Sequence, residues 1–130
     1  MDSRDRQILE ILRRNSRLTN IEIGRMLGVS EGTVRKRIAN LVSSNVIRKF
    51  SIETSEEGVD GIILLRVDPR KAKDVLSAIR KKYSEIYEFS GKIDIAVRVH
   101  SPTLLDLNTA VDEIRSIDGV KNTDTTIRLN

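Results

Sequence analysis

The stretch from Asn20 to Leu41, NIEIGRMLGVSEGTVRKRIANL, constrains this chain more than any other. Apolar residues recur there three and four positions apart, the spacing of one helix face rather than the two-residue alternation of a strand. The pattern breaks once, at Gly28-Val29-Ser30. Thr19 precedes Glu22 by three positions, where a hydroxyl and a carboxylate cap each other's backbone. A helix is therefore expected to start there, with Ile23, Met26 and Leu27 inward. Gly28 suits the left-handed residue that ends a helix, and Ser30 suits the N-cap of the next one. In that next helix Val34, Ile38, Leu41 and Val42 fall at i, i+4, i+7 and i+8. An earlier helix is expected from Asp5 to Arg14 through Ile8, Leu9 and Leu12, with a turn at Asn15-Ser16-Arg17. Three short helices, the last two joined tightly, form a helix-turn-helix pattern.

The apolar stripe of the third helix decides what its other face presents. At 100° per residue, Gly32, Lys36, Ala39 and Ser43 point outward, flanked by Arg35 and Asn40. Small side chains allow close approach to a DNA groove, and long cations reach guanine edges and phosphates. Gly32 costs roughly 1 kcal/mol of helix propensity against alanine, so its place in the first turn asks for a reason. Charge supports the same reading. Residues 1–50 hold 11 Lys and Arg against 5 Asp and Glu, whereas residues 51–130 hold 12 against 14. A basic first part before a slightly acidic second part suggests a polyanion-binding module followed by a module with another task. The expected DNA-contacting set is Ser30, Glu31, Gly32, Thr33, Arg35, Lys36 and Arg37. Glu31, Gly32, Arg35 and Lys36 are assigned to bases or groove, and Arg37 to phosphate.

After Asn45 the run VIRKFSIE is rich in β-branched and aromatic residues, and Ile47 to Glu53 reads as a strand. TSEEGVDG then serves as a hinge. Beyond it the pattern becomes strand, helix, strand, strand, helix, strand. Gly61 to Val67 is strand-like and includes the unbroken apolar run Ile62 to Leu65, as in a strand covered on both faces. Asp68-Pro69 reads as an N-cap and first helical residue. The helix behind it places Ala72, Val75, Leu76, Ile79 and Tyr83 on one side. IYEFSG is a second strand. IDIAVRV is a third, with Ile93, Ile95, Val97 and Val99 alternating against Asp94, Ala96 and Arg98. Ser101-Pro102 repeats the cap-and-proline device before a helix through Leu104, Leu107, Val111 and Ile114. Gly119 ends a loop, and Val120 to Leu129 is the last strand. The expected fold is α+β: an N-terminal winged-type helix-turn-helix domain (1–50), a strand and hinge linker (51–60), and a C-terminal ferredoxin-like βαββαβ domain (61–130).

What is missing narrows the chemistry. There is no cysteine, so neither a disulfide framework nor a thiolate metal site is available. The single histidine, His100, cannot build a zinc site alone. No run of 18 apolar residues suggests a membrane span. The start Met1-Asp2-Ser3-Arg4-Asp5 lacks an apolar signal core, so a cytoplasmic protein is expected.

SRDRQILEIL followed by NSRLTNIEIGRMLGVSEGTVRKRIANLVSSNVIRKF resembles the DNA-binding module of the Lrp/AsnC, or feast/famine, transcription regulators. Asp5, Arg17, Gly28, Ser30, Val34, Arg37 and Ile38 match its pattern. The usual glycine before the final valine or isoleucine is replaced by Asn45, which also tolerates the left-handed conformation. The βαββαβ half resembles the family's regulatory domain, through Gly91-Lys92-Ile93-Asp94 at its hairpin and Gly119-Val120 before the last strand. The resemblance implies a DNA-binding regulator and not an enzyme. It implies double-stranded DNA as partner and two sheets packed face to face in a homodimer. It implies no cofactor and a free amino acid as effector. The effector residues implied are Gly91, Lys92 and Asp94, with hydroxyls from Thr123 and Thr125. Two departures matter. Lys92 stands where the family often has an acid, which bears on the effector's type. The sequence also stops at Leu129-Asn130, where members often continue into a segment for oligomer contacts, so a dimer is the expected assembly and a higher oligomer is left open.

Two other readings compete. One is an architectural DNA-binding protein without an effector. The other is an enzyme like the siroheme decarboxylases, which resemble the same two-module arrangement. That chemistry needs a basic, histidine-bearing cavity for the substrate's carboxylates, and the second half offers only His100 and no cluster of basic residues.

Overall fold

A computed structural model describes residues 1–55 and 57–129 of the chain, which divides into two compact units, Met1–Thr54 and Ser55–Asn130. Position 56 of the expected hinge lies outside the described residues. In the first unit, helix α1 spans Ser3–Arg14, α2 spans Asn20–Leu27 and α3 spans Glu31–Ser43. Helix α1 begins two residues before Asp5. Asp2 is its N-cap, and Asp5 is the third helical residue that caps back onto the Asp2 backbone. The Thr19–Glu22 capping box forms as expected. Gly28 ends α2 with φ 68°, and the Ser30 hydroxyl accepts from the Thr33 amide at 3.1 Å to start α3.

Ile8, Leu12, Ile23, Val34 and Leu41 fill the core of this unit. Met26, expected inside, lies on the surface, and Gly24 is buried in its place. A Cβ on Gly24 would stand 2.6 Å from the Val29 carbonyl oxygen. The inner face of α2 is therefore rotated toward Gly24, where the helix runs closest to the turn that follows it. Val42 is likewise exposed at the outer edge of the α3 stripe. Asn45 takes the left-handed conformation at φ 59°. The amides of Val46 and Ile47 then both donate to the Leu41 carbonyl at 2.9 Å. The strand expected from Ile47 to Glu53 does not form. Its residues favour extended backbone, but a strand needs a neighbour to pair with, and none of the described strands pairs with it.

The second unit carries strand β1 (Val59–Val67), a short 3₁₀ turn (Pro69–Lys71), α4 (Ala72–Arg80), β2 (Ile86–Glu88), β3 (Ile95–Ser101), α5 (Leu104–Arg115) and β4 (Val120–Ile127). The strands pair antiparallel in the order β2-β3-β1-β4, the ferredoxin-like arrangement. One face is covered by both helices. Ile63, Leu65, Val67, Ile95, Val97 and Val99 from the sheet meet Val75, Leu76 and Ile79 of α4 and Leu107, Val111 and Ile114 of α5. Asp68 accepts from the Arg70 amide and Pro69 opens the turn, as expected. The device is not repeated at Ser101-Pro102. Ser101 is the buried last residue of β3, and the cap of α5 is Thr103, whose hydroxyl accepts from the Asp106 amide. That shift turns Leu104 outward.

All four strands differ in extent from expectation, β4 by ending at Ile127 rather than Leu129. β1 starts two residues early, at Val59. β2 is only three residues long, because the chain leaves the ladder after Glu88 and turns at Gly91, φ 143°. β3 begins at Ile95, leaving Ile93 and Asp94 in the loop before it. Within one chain the run Ile62 to Leu65 is covered on one side only. Ile63 and Leu65 are buried, while Ile62 faces out with 46% of its surface exposed.

Candidate nucleic-acid interface and effector site

Helix α3 presents Lys36, Ala39, Asn40 and Ser43 to solvent, with Arg35 beside them. Gly32 is partly covered, and a Cβ there would make only an ordinary 3.6 Å contact with the Arg35 guanidinium. Nothing within the chain requires glycine at that position. Ser30 and Thr33 are joined through their hydroxyls at 2.9 Å, which closes the first turn of the helix.

The three adjacent cations have three different surroundings. Arg35 forms an i,i+4 pair with Glu31, its Nη1 lying 2.8 and 3.0 Å from the two carboxylate oxygens, and its side chain stays 67% exposed. Lys36 makes no ion pair among the described residues and projects freely. Arg37 turns toward α1, where Nη1 donates to Asp2 Oδ2 at 2.7 Å and Asp5 Oδ1 at 3.1 Å. Its hydrogen bond is the first cause holding the Asp2 carboxyl down to about 2, and the two carboxylates in turn raise the Arg37 pKa. The expected phosphate contact at Arg37 thus meets a guanidinium whose Nη1 already holds two carboxylates within the unit. Sequence reasoning missed Asp2 and Asp5 as its partners. Their spacing signals a capping box, but nothing local points from it to a residue on another helix. Between α1 and α3 lies a groove of about 650 Å³, lined by Met1 and Asp5 on one side and Thr33, Lys36, Arg37 and Asn40 on the other.

In the sheet unit, Gly91 is exposed, with no atom within 4 Å of where a Cβ would stand, and Lys92 beside it is also exposed. Asp94 is a corner post. Its amide donates to the Leu65 carbonyl, its carbonyl accepts from the Phe89 amide, and its Oδ2 accepts from the Val67 amide at 2.9 Å. Oδ1 takes no hydrogen bond among the described residues. Thr123 and Thr125 pair across from Leu65 and Ile63, which sets them half-buried on the helix-covered face. The Thr123 hydroxyl there accepts from the Arg115 guanidinium at 3.3 Å. Strand β1 separates them from the Gly91–Asp94 hairpin, so a single chain does not gather the five effector candidates into one pocket. His100 lies against Asp60 at 2.9 Å, in a network that continues through Arg98 to Glu85. No helix among the described residues is long and apolar enough to cross a membrane.

Comparison with known proteins agrees with this two-part build. The family model for winged helix-turn-helix DNA-binding domains matches residues 1–48, and that for the Lrp/AsnC ligand-binding domain matches residues 61–130. The HTH-type transcriptional regulator LysM of Saccharolobus solfataricus is 37% identical, over 99% of this chain and 94% of its own length. The crystal structure of PH0061 superposes with a TM-score of 0.91 at 25% identity, covering 100% of this chain and 93% of that one. A transcriptional regulator of Neisseria meningitidis, NMB0573, solved as its L-Met complex, has the same fold, with a TM-score of 0.79 at 20% identity over 100% and 90% of the two chains.

Proposed function

The chain belongs to the Lrp/AsnC family of transcription regulators, and from that premise we propose that α3 reads double-stranded operator DNA while the sheet unit binds an amino-acid-like effector and pairs with a second copy. The observation that carries the DNA reading is the outward face of α3, small at Gly32, Ala39 and Ser43 and cationic at Lys36 and Arg35. Gly32 supports it from a second direction, since the free chain has room for a methyl group there. Arg35 would exchange Glu31 for a guanine edge, and Lys36 would reach phosphate or base without first breaking a pair. Arg35→Ala is expected to cost about 1 to 3 kcal/mol at a cognate site and to relax preference at one base position. Selection of bound duplexes from a random pool, repeated with the variant, measures both. An unchanged selected sequence would remove Arg35 from the reading.

The effector proposal rests on the hairpin. Gly91 leaves room for a ligand backbone, and Asp94 keeps Oδ1 available for an ammonium group. Lys92 adds a cation that favours a ligand bearing an extra carboxylate or amide over a basic one. The structurally similar Neisseria regulator was solved with methionine, a free amino acid whose side chain is not basic but carries neither carboxylate nor amide. The open sheet face, with Ile62 exposed, suits a homodimer that reads half-sites ~34 Å apart or a multiple of that. An effector shifts DNA affinity only by its differential affinity for two states, typically about 1 to 3 kcal/mol. Calorimetry against the twenty amino acids, with Asp94→Ala as control, tests it. Twenty flat titrations would leave the architectural reading in its place. As to catalysis, the matched relatives carry the names of transcriptional regulators.

A further inference from the structure

Each carboxylate beside Arg37 divides its work between two partners. Asp2 uses Oδ1 to accept from the Asp5 amide and Oδ2 to accept from Arg37. Asp5 uses Oδ2 to accept from the Asp2 amide and Oδ1 to accept from Arg37. All four oxygens are engaged, and the reciprocal cap holds both side chains in place beside the guanidinium. The Asp5 side chain is 17% exposed and that of Arg37 32%, against 67% for the neighbouring Arg35. From these contacts we infer that Arg37 is a positioning residue, one that clamps the N-terminus of α1 to the middle of α3 and sets the pitch of the reading helix without touching phosphate. The inference rests on the reading of α3 as the DNA-contacting helix. Both carboxylates meet Nη1, so a phosphate reaching Arg37 through Nη2 or Nε would stand beside two negative charges already held there, a like-charge arrangement that opposes the contact. The clamp lies on the wall of the groove that Thr33, Lys36 and Asn40 also line, so a change in its geometry moves the residues that face DNA.

The test is the salt dependence of DNA binding by the full chain, on a selected duplex and a scrambled one. Lys36→Ala is expected to lower the slope of log affinity against log salt by ~0.9 on both duplexes, as loss of one phosphate contact does. Arg37→Met is expected to leave that slope unchanged and to reduce the ratio of selected to scrambled affinity, with Arg37→Lys restoring part of the ratio. A slope lowered by Arg37→Met as much as by Lys36→Ala would make Arg37 a phosphate contact and overturn the inference. Should Arg37→Met fail to fold, Asp5→Asn weakens the clamp while keeping the arginine charge. Its expected result is a reduced ratio with no fall in slope, and wild-type behaviour on both duplexes would overturn the inference. If Lys36→Ala also binds both duplexes as wild type does, the reading of α3 itself fails, and this inference with it.

Discussion

The helical unit buries five side chains, Ile8, Leu12, Ile23, Val34 and Leu41, whereas the core of the sheet unit is built from twelve. The smaller unit compensates at its helix ends. All three of its helices start on a side-chain cap, two of them reciprocal, and Arg37 ties two helices together through one of those caps. The sheet unit depends instead on aliphatic residues that meet across strands far apart in sequence, such as Ile63 with Val97. The difference is what the proposed reading of DNA by α3 calls for, since one side of that helix must then stay free of apolar cover, which limits how much a three-helix unit can bury. Polar ends and close backbone packing then supply what the core lacks.

The largest test of this contrast is a cavity in each core. Ile23→Ala and Ile63→Ala each remove a fully buried side chain and are expected to cost about 2 to 5 kcal/mol. In the helical unit that loss is a large share of the total, so Ile23→Ala should abolish DNA binding while the sheet signal in circular dichroism persists on heating. A single shared transition in both variants would break the comparison. A smaller effect separates rigid from yielding packing. An added Cβ at Gly24 meets a backbone oxygen at 2.6 Å, whereas at Gly61 it meets the methyl ends of Leu107 at 3.0 Å. Gly24→Ala should therefore destabilise its unit by about 1 to 3 kcal/mol in urea titration, and Gly61→Ala by less. Equal effects would mean that the turn at Val29 yields as easily as a leucine side chain.

The smallest effect is electrostatic. The Asp2 carboxyl, ordinarily near 3.8, is held down to about 2 by Arg37 and then by the Asp5 amide. A carboxyl depressed in the folded state stabilises it above its ordinary value, and that contribution disappears as pH falls through about 2. Asp60 in the sheet unit is also lowered, first by its hydrogen bond to His100 and then by Arg98. Both groups are near solvent, so the effects should be small. Asp2→Asn keeps a good cap and removes only the charge. It should flatten the loss of helical-unit stability between pH 4 and pH 2 without altering that of the sheet unit, as read from urea midpoints at each pH.

Features set by residues three or four positions apart were legible from sequence. The Thr19–Glu22 box, the Gly28 terminus and the Ser30 cap are all of this kind, and so is the outward face of α3. Alternation also revealed which residues of β3 enter the core, and the order of strands and helices implied the sheet; in β1 the unbroken apolar run hid which side is covered. The same local logic misplaced the cap of α5, because Ser101-Pro102 looks like Asp68-Pro69 until β3 claims the serine. It produced a strand at Ile47 to Glu53 that pairs with none of the described strands. It also treated Thr123 and Thr125 as available hydroxyls when pairing with Leu65 and Ile63 turns them under the helices.

The run Arg35-Lys36-Arg37 holds both kinds of knowledge. That three cations stand on a helix whose other side is apolar follows from the order of residues alone, since helical geometry repeats every 3.6 positions whatever surrounds it. Which cation remains free does not follow. Arg35 finds Glu31 one turn away, but Arg37 finds Asp2 and Asp5 across 35 and 32 residues of chain. Only the packing of α1 against α3 brings those charges within 3.1 Å of each other, because the distance between side chains on different helices is set by the core between them and not by their separation in sequence.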